Sequence, residues 1–430
     1  MSLLYANEAA GAWPRSWYVD TAPPPAAHAP LGGAVRADVC VIGGGYTGLS
    51  AALAARAKGR SVVLIDAHRV GFGASGRNGG QVGTGQRWSQ GALEDRFGMQ
   101  AARALWELAE AAKAEVRGLT LRHGIDADWR DGLLYAARTA KGAEAGWRDA
   151  EHLARAYGYD AIEVLDRGAV SDALGTDAFA GGTLDRGAGH IHPLRFAFGL
   201  ARAAAAAGVR IFEGTEATKV VPGRPATVET PEGRVTAEAV VLATNGYGPD
   251  LVADVARRVM PINNFIVATE PLAEAPVKGG IAAADDRFVV NYWRMSPDGR
   301  LLFGGAESYG DRFPDIERAV RPHLARIYPA LAKVPFTHAW GGTLAITRSR
   351  LPYLAQPAPG VWSAGGYSGH GVGLATLAGR LIAEAIAGDV GGFRTMAQLD
   401  VPPFPGGAAA RRPLLALAMR WFALRDRLGV

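Results

Sequence analysis

Hydrophobic positions along the chain follow two patterns. Mostly apolar runs at 37–42, 61–66 and 239–243 are too short for helices and predict buried strands of the kind found in sheets covered on both faces. Between the first two runs, residues 47–58 read as a helix ended by Gly59, so this region predicts one βαβ unit. Residues 97–122 and 146–157, rich in Ala, Leu, Glu and Arg, predict helices, with a short strand at 129–137 between them. A further helix at 194–207 stops at Gly208 and leads into a strand at 209–213. Residues 226–230 and 233–237 read as a hairpin turning at Glu232-Gly233, separate from the run at 239–243. Residues 262–305 break into short strands, with a turn at Pro297-Asp298-Gly299. A late strand at 361–364 passes through a glycine-rich turn into a helix at 372–387. No internal repeat or low-complexity linker separates these segments, so the expected domains are interleaved.

Composition narrows the picture. At 430 residues the chain is long for one domain. Its net charge of +5 comes from scattered arginines, with no Lys/Arg-rich block, so no nucleic-acid partner is expected. The single cysteine, Cys40, excludes a disulfide within the chain and a cysteine-based metal cluster. No metal is expected. The first 30 residues are proline-rich and lack a basic segment followed by an apolar core, and arginines interrupt the Ala-rich stretches. A cytoplasmic location without a membrane span is therefore the expectation.

Candidate chemistry begins where the first strand meets the first helix, at Gly43-Gly44-Gly45-Tyr46-Thr47-Gly48. A Gly-x-Gly-x-x-Gly motif alone is weak, but between a buried strand and a helix it predicts a dinucleotide site. The first glycine permits the turn, the second lets backbone approach a pyrophosphate, and the third lets helix and strand pack closely. Asp66, at the end of the second strand, is placed to accept from a ribose diol and to repel a 2′-phosphate, favouring FAD or NAD over NADP. A second cluster at 71–81 and a third at 365–371 suit an extended ligand touched from both ends of the chain. That favours FAD.

With these residues in view, the sequence resembles the FAD-dependent amine and amino-acid oxidases of the glycine, sarcosine and D-amino-acid oxidase superfamily, and within it the γ-glutamylputrescine oxidase subfamily. The resemblance is carried by residues 38–50, by 71–81 (Gly71-Phe72-Gly73-Ala74-Ser75-Gly76-Arg77-Asn78-Gly79-Gly80-Gln81), by Gly189-His190-Ile191-His192-Pro193-Leu194, by 366–372, and by a tail at 404–407 and 424–430. It implies an α/β (α+β) fold, in which an FAD-binding dinucleotide fold of glutathione-reductase type is interleaved with an antiparallel β-sheet substrate domain. The expected partition is an arm at 1–36, an FAD-binding domain at 37–117, 186–255 and 339–398, a substrate domain at 118–185 and 256–338, and a tail helix within 399–430. Expected around FAD are Gly43, Gly45, Tyr46, Thr47, Gly48, Asp66, Ala67, Ser75, Gly76, Arg77, Asn78, Gly79, Gly80, Gln81, Ala217, Thr244, Gly246, Gly369, His370, Gly371, Val372 and Gly373. Some relatives tether flavin through a cysteine near the late glycine turn. None stands there, so non-covalent FAD is expected.

The resemblance also implies hydride transfer from an amine-bearing carbon to flavin N5, then imine hydrolysis to an aldehyde or keto acid. Oxygen would reoxidise the flavin to give peroxide, or a quinone or carrier protein would take the electrons instead. The expected substrate is γ-glutamylputrescine or a related amine. A flavin-bearing tRNA-modifying protein is a remoter alternative on the same fold. Candidate catalytic residues are His370, which could orient substrate, tune the flavin or simply bond to backbone, together with Tyr292 and Arg294. The last two alternate along a strand and so share a face. Arg294 could bind a substrate carboxylate, as could Arg348 or Arg350. His190 and His192 read as structural. The tail at 413–427 reads as a helix, docked on the enzyme or facing a membrane surface or partner.

Overall fold

The computed structural model describes residues 3–406. The tail helix expected at 413–427 lies outside the described residues.

Two sheets organise the chain. Among the described residues the first has eight strands: Tyr353–Ala358, Val361–Gly365, Gly233–Leu242, Gly33–Ile42, Val62–Ile65 and Arg210–Phe212 in spatial order, with Ala226–Thr230 paired to Gly233–Leu242 and Lys219–Val221 paired to Ala226–Thr230. Its centre is parallel, with Val39 to Ile42 in register with both Val62 to Ile65 and Ala239 to Leu242. The burial pattern explains the composition: Val39, Cys40, Val41, Val63 and Leu64 are almost wholly inaccessible, as expected of a parallel sheet covered on both faces. Tyr46–Ala57 and Gly371–Ile386 cross in close contact. A Cβ on Gly379 would lie 2.2 Å from the Thr47 carbonyl oxygen, so glycine is what allows these helices to approach.

The second sheet has nine strands, ordered Phe336–Ile346, Met260–Thr269, Leu301–Ser308, Tyr292–Met295, Ala282–Asp285, Arg130–Ala137, Gly181–His190 and Gln81–Val82, with Ile162–Asp166 paired to Gly181–His190. Every pairing is antiparallel except Ala282–Asp285 with Arg130–Ala137. The two sheets draw alternately on segments along the chain, which gives the interleaved fold. Among the described residues no helix is long and apolar enough to cross a membrane, and no group of His, Cys, Asp and Glu could hold a metal ion.

Several elements differ from the sequence expectation. Gly33–Ile42 begins inside the segment read as an arm. Gly233–Leu242 is one continuous strand, so the expected hairpin strand and the buried run at 239–243 are the same element. The helix expected at 97–122 runs from Met99 to Arg122, and Gly98, at φ 80°, separates it from a preceding helix, Gln90–Phe97, that was not expected. The helix expected at 146–157 starts at Ala140, capped by the Thr139 hydroxyl accepting from the Gly142 N–H. Gly181–His190 was not expected at all. Its glycines permit close strand pairing: a Cβ on Gly182 would meet the Tyr135 carbonyl oxygen at 2.5 Å, and one on Gly189 the Arg130 carbonyl oxygen at 2.4 Å.

Candidate active site

The glycine loop after Gly33–Ile42 is built by exclusion of side chains. Gly43 has φ 108°, and a Cβ there would lie 2.7 Å from the Ala243 carbonyl oxygen. Gly45 caps the Tyr46–Ala57 helix without any side-chain bond to it, so the first N–H groups of that helix face the cavity beside it. The Ser75 hydroxyl accepts from one of them, Tyr46 N–H, at 3.0 Å. Asp66 accepts from Gly44 N–H at 2.7 Å through Oδ2 and from His68 N–H at 2.8 Å through Oδ1. Burial outweighs both bonds and pushes its carboxyl pKa up to about 6.

A single cavity of about 1440 Å³ joins all three glycine clusters. It exceeds the roughly 300–1,000 Å³ of an ordinary ligand pocket, as a site for an extended dinucleotide and a substrate must. Its walls include Gly43, Gly45, Tyr46, Thr47, Asp66, Ala67, Ser75, Arg77, Asn78, Gly79, Gln81, Ala217, Thr244, and Gly369 to Gly373. The start of the Gly371–Ile386 helix also lines this cavity, with no side-chain bond from its capping residue His370. Two helix N-termini on one cavity supply unpaired donors and partial positive charge for anionic groups. Gln81 adds a buried side-chain amide nitrogen that has no partner among the described residues. These features fit FAD.

Four glycines expected at the ligand lie in the wall behind it. A Cβ on Gly48 would meet the Gly43 carbonyl oxygen at 1.9 Å, on Gly76 that of Gly71 at 2.2 Å, on Gly80 that of Ile191 at 2.1 Å, and on Gly246 that of Leu344 at 2.7 Å. Their role is close backbone packing. Arg77 and Asn78 line the cavity, but their side chains hold the loop. Arg77 Nη1 donates to the Gly341 carbonyl oxygen and pairs with Glu8, while Asn78 Nδ2 donates to the carbonyl oxygens of Ala74 and Ser75. The N-terminal arm, not expected at the site, reaches it as well. Leu4 lines the cavity, its carbonyl oxygen lies 2.6 Å from His68 Nε2, and the Tyr5 hydroxyl donates to Glu216.

The substrate candidates separate. Tyr292 lines the cavity and donates to Asn264 Oδ1 at 2.5 Å. Its ring lies where side chains on Gly79 and Gly304 would otherwise stand, at 2.6 and 2.1 Å. Arg294 is not at the cavity. It is buried, with Nε donating to the Gly79 carbonyl oxygen at 3.1 Å and Nη2 to that of Ile191 at 3.3 Å. It shares a face with Tyr292, as alternation predicts, but the Gly79 loop lies between it and the cavity, so a carboxylate-binding role for it is withdrawn. His370 lines the cavity near Gly83, with Nε2 only 3.5 Å from the Thr84 carbonyl oxygen. Burial, reinforced by Arg87, depresses its pKa to about 4, so it is a neutral imidazole at ordinary pH. His190 and His192 are structural: the first bonds to the Gly280 carbonyl oxygen, and the second accepts from Arg195 N–H and contacts the Thr21 hydroxyl. Arg348 is exposed and does not line the cavity, whereas Arg350 does. Sequence reading missed Arg87, Tyr135, Glu307 and Tyr309, which all line the same region. Nothing in their local sequence sets them apart, and only the fold brings them together.

The family of FAD-dependent oxidoreductases designated DAO matches residues 38–385. The chain belongs to this family. It is an FAD-dependent oxidoreductase acting on CH–NH or CH–NH₂ donors, with FAD held non-covalently. The sole cysteine, Cys40, is buried within a strand, in keeping with that. Similar DAO proteins include a probable oxidoreductase OrdL of Rhizobium meliloti, 45% identical over 96% of this chain and 97% of its own. The γ-glutamylputrescine oxidoreductase of Escherichia coli is 38% identical over 96% of this chain and 99% of its own. Among solved structures, glycine oxidase of Geobacillus kaustophilus superimposes with a TM-score of 0.69 at 25% identity, covering 82% of this chain and 95% of its own.

Proposed function

We propose that this DAO-family enzyme oxidises a primary amine of γ-glutamylputrescine or a closely related ω-amine, with dioxygen as the final acceptor. The observation carrying this reading is one cavity lined both by the glycine clusters and by Arg87, Glu307 and Arg350. The likeness to γ-glutamylputrescine oxidoreductase along almost the whole of both chains supports the choice of amine.

In this reading the backbone around Gly43 and Gly45 and the open end of the Tyr46–Ala57 helix hold the pyrophosphate, and Asp66 holds the adenosine ribose. The loop from Ser75 to Gln81, with Ala67, Ala217 and Thr244, completes the channel. FAD, when bound, supplies the hydride acceptor and the route for electrons to oxygen. The chain's own residues must orient the amine and keep its nitrogen neutral. His370, held uncharged, offers an acceptor or donor without adding a positive charge beside the amine. Burial raises the Tyr292 hydroxyl pKa, so it stays protonated and positions by hydrogen bonding alone. The open end of Gly371–Ile386 presents N–H groups suited to negative charge on a reduced ring.

The test is a panel of amines mixed anaerobically with the holoenzyme. γ-Glutamylputrescine should bleach the flavin absorbance, and readmitted air should restore it with release of peroxide. Failure of every amine to bleach the flavin would overturn the reading. Bleaching that air does not reverse would move the electrons to a quinone or carrier protein.

A further inference from the structure

The charged end of the cavity contains groups that the protein itself leaves unpaired. Among the described residues, Arg87 has no hydrogen bond or ion pair, although it lines the cavity and is partly buried. The Arg350 guanidinium rests on the Phe288 ring at 3.8 Å and, among the described residues, has no acceptor. Glu307 takes one side-chain bond, from the Tyr309 hydroxyl at 2.9 Å. The three charges act on one another, with Glu307 influenced by both arginines and Arg350 by Arg87, yet none forms an ion pair with another. By contrast, Arg77 pairs with Glu8 and Arg69 with Glu213, and the buried Arg294 is bonded to two carbonyl oxygens. Charges withdrawn from water and left unpaired are costly unless a ligand completes them.

The signs specify that ligand. Two guanidiniums suit a carboxylate, which can accept from both. A lone carboxylate beside them suits a cation. A group carrying both is an α-amino acid. The cation held by Glu307 cannot be the nitrogen being oxidised, because a carboxylate at close range keeps an ammonium protonated, and an amine must have its lone pair free to become an imine as hydride leaves. The substrate therefore needs a second amine. Resting on the amine-oxidising reading above, we infer that Arg87, Arg350 and Glu307 form a recognition subsite for a zwitterionic α-amino-acid head, on a substrate whose reacting amine is a different, neutral one. The guanidiniums hold the head's carboxylate and Glu307 its ammonium.

Three compounds separate these contacts: γ-glutamylputrescine, N-glutarylputrescine without the ammonium, and N-(4-aminobutanoyl)putrescine without the carboxylate. The holoenzyme should show kcat/KM lower by on the order of tenfold to a hundredfold for each truncated compound, the loss expected when a charged partner is left unmatched. In Glu307→Gln the preference over N-glutarylputrescine should collapse while that over N-(4-aminobutanoyl)putrescine persists. Arg350→Met and Arg87→Met should show the reverse. Equal kcat/KM for all three compounds on the unmodified enzyme overturns the subsite while leaving amine oxidation standing. An equal penalty on all three from Glu307→Gln also overturns it, by placing Glu307 at the reacting nitrogen. No bleaching by any of the three overturns the amine reading and the subsite together. The first comparison needs no variant, so a misfolded substitution cannot obscure the result.

Discussion

Lowering the pH from 7 to 5 should weaken FAD binding about tenfold, through Asp66. In the apoprotein, burial holds this carboxyl at about 6 despite bonds from Gly44 N–H and His68 N–H. A ribose diol adds two hydroxyl donors to the ionised form and should draw the pKa back toward the ordinary value of about 3.9. At pH 5 the free carboxyl is then protonated by about ten to one, and at pH 7 ionised by about ten to one. Affinity that depends on the ionised form falls by the ratio of these binding terms, about tenfold or about 1.4 kcal/mol. Stability of the apoprotein runs the other way. A raised folded-state carboxyl contributes stability below its unfolded pKa of about 3.9, and this is lost as pH rises through about 6. Titration of apoprotein with FAD, followed by flavin fluorescence at pH 5, 6 and 7, measures the effect. Asp66→Asn should bind more weakly at pH 7 and lose most of the slope. A flat profile in the unmodified protein, or an unchanged slope in Asp66→Asn, would refute the assignment of Asp66 to the ribose.

Three further outcomes are expected. Gly48→Ala places a methyl 1.9 Å from the Gly43 carbonyl oxygen; overpacking of about 1–3 kcal/mol exceeds the helical gain of up to about 1 kcal/mol, so the thermal midpoint and FAD affinity should both drop, and unchanged values would contradict the packing argument. Arg294→Ala strips the Gly79 and Ile191 carbonyl oxygens of their side-chain donor and should lower stability by about 2–5 kcal/mol in denaturant melts. Its kcat/KM ratio between acidic and uncharged amines should stay as in the unmodified enzyme, and a collapse of that ratio would return Arg294 to the substrate. Acid precipitation should leave all FAD in the supernatant, since Cys40 is wholly buried with its thiol pKa pushed up to about 12; yellow colour in the pellet would reveal a covalent link.

The cofactor end of the cavity was legible in the sequence because it is made of backbone. Gly43 must be glycine for its φ of 108° and its approach to Ala243, and Asp66 must follow the second strand, so residue type and spacing carry the geometry directly. The parallel core was legible because burial on both faces leaves a continuous apolar run at Val39 to Ile42. Gly181–His190 was hidden because its glycines interrupt any apolar pattern, and they serve close pairing with Arg130–Ala137 that only the fold reveals. The exclusion of Arg294 was hidden too. Strand alternation gives the side of a sheet but not what lies on that side, and the Gly79 loop stands between Arg294 and the cavity.

The two ends of the cavity are therefore built on different principles, with consequences for how such an enzyme changes substrate. Gly43, Gly45 and the open helix termini contact through main chain, and most side chains placed there would collide with backbone or with Ser75. Substitution at that end is expected to weaken cofactor binding. The other end is built from the side chains of Arg87, Glu307 and Arg350, which come from distant points in the sequence and are joined to one another by no ion pair. Their identities can change singly without disturbing a backbone bond of the dinucleotide fold. DAO proteins that share the glycine clusters can thus differ widely in the amine they oxidise, and the charges at positions 87, 307 and 350 say more about the substrate of this chain than its fold does.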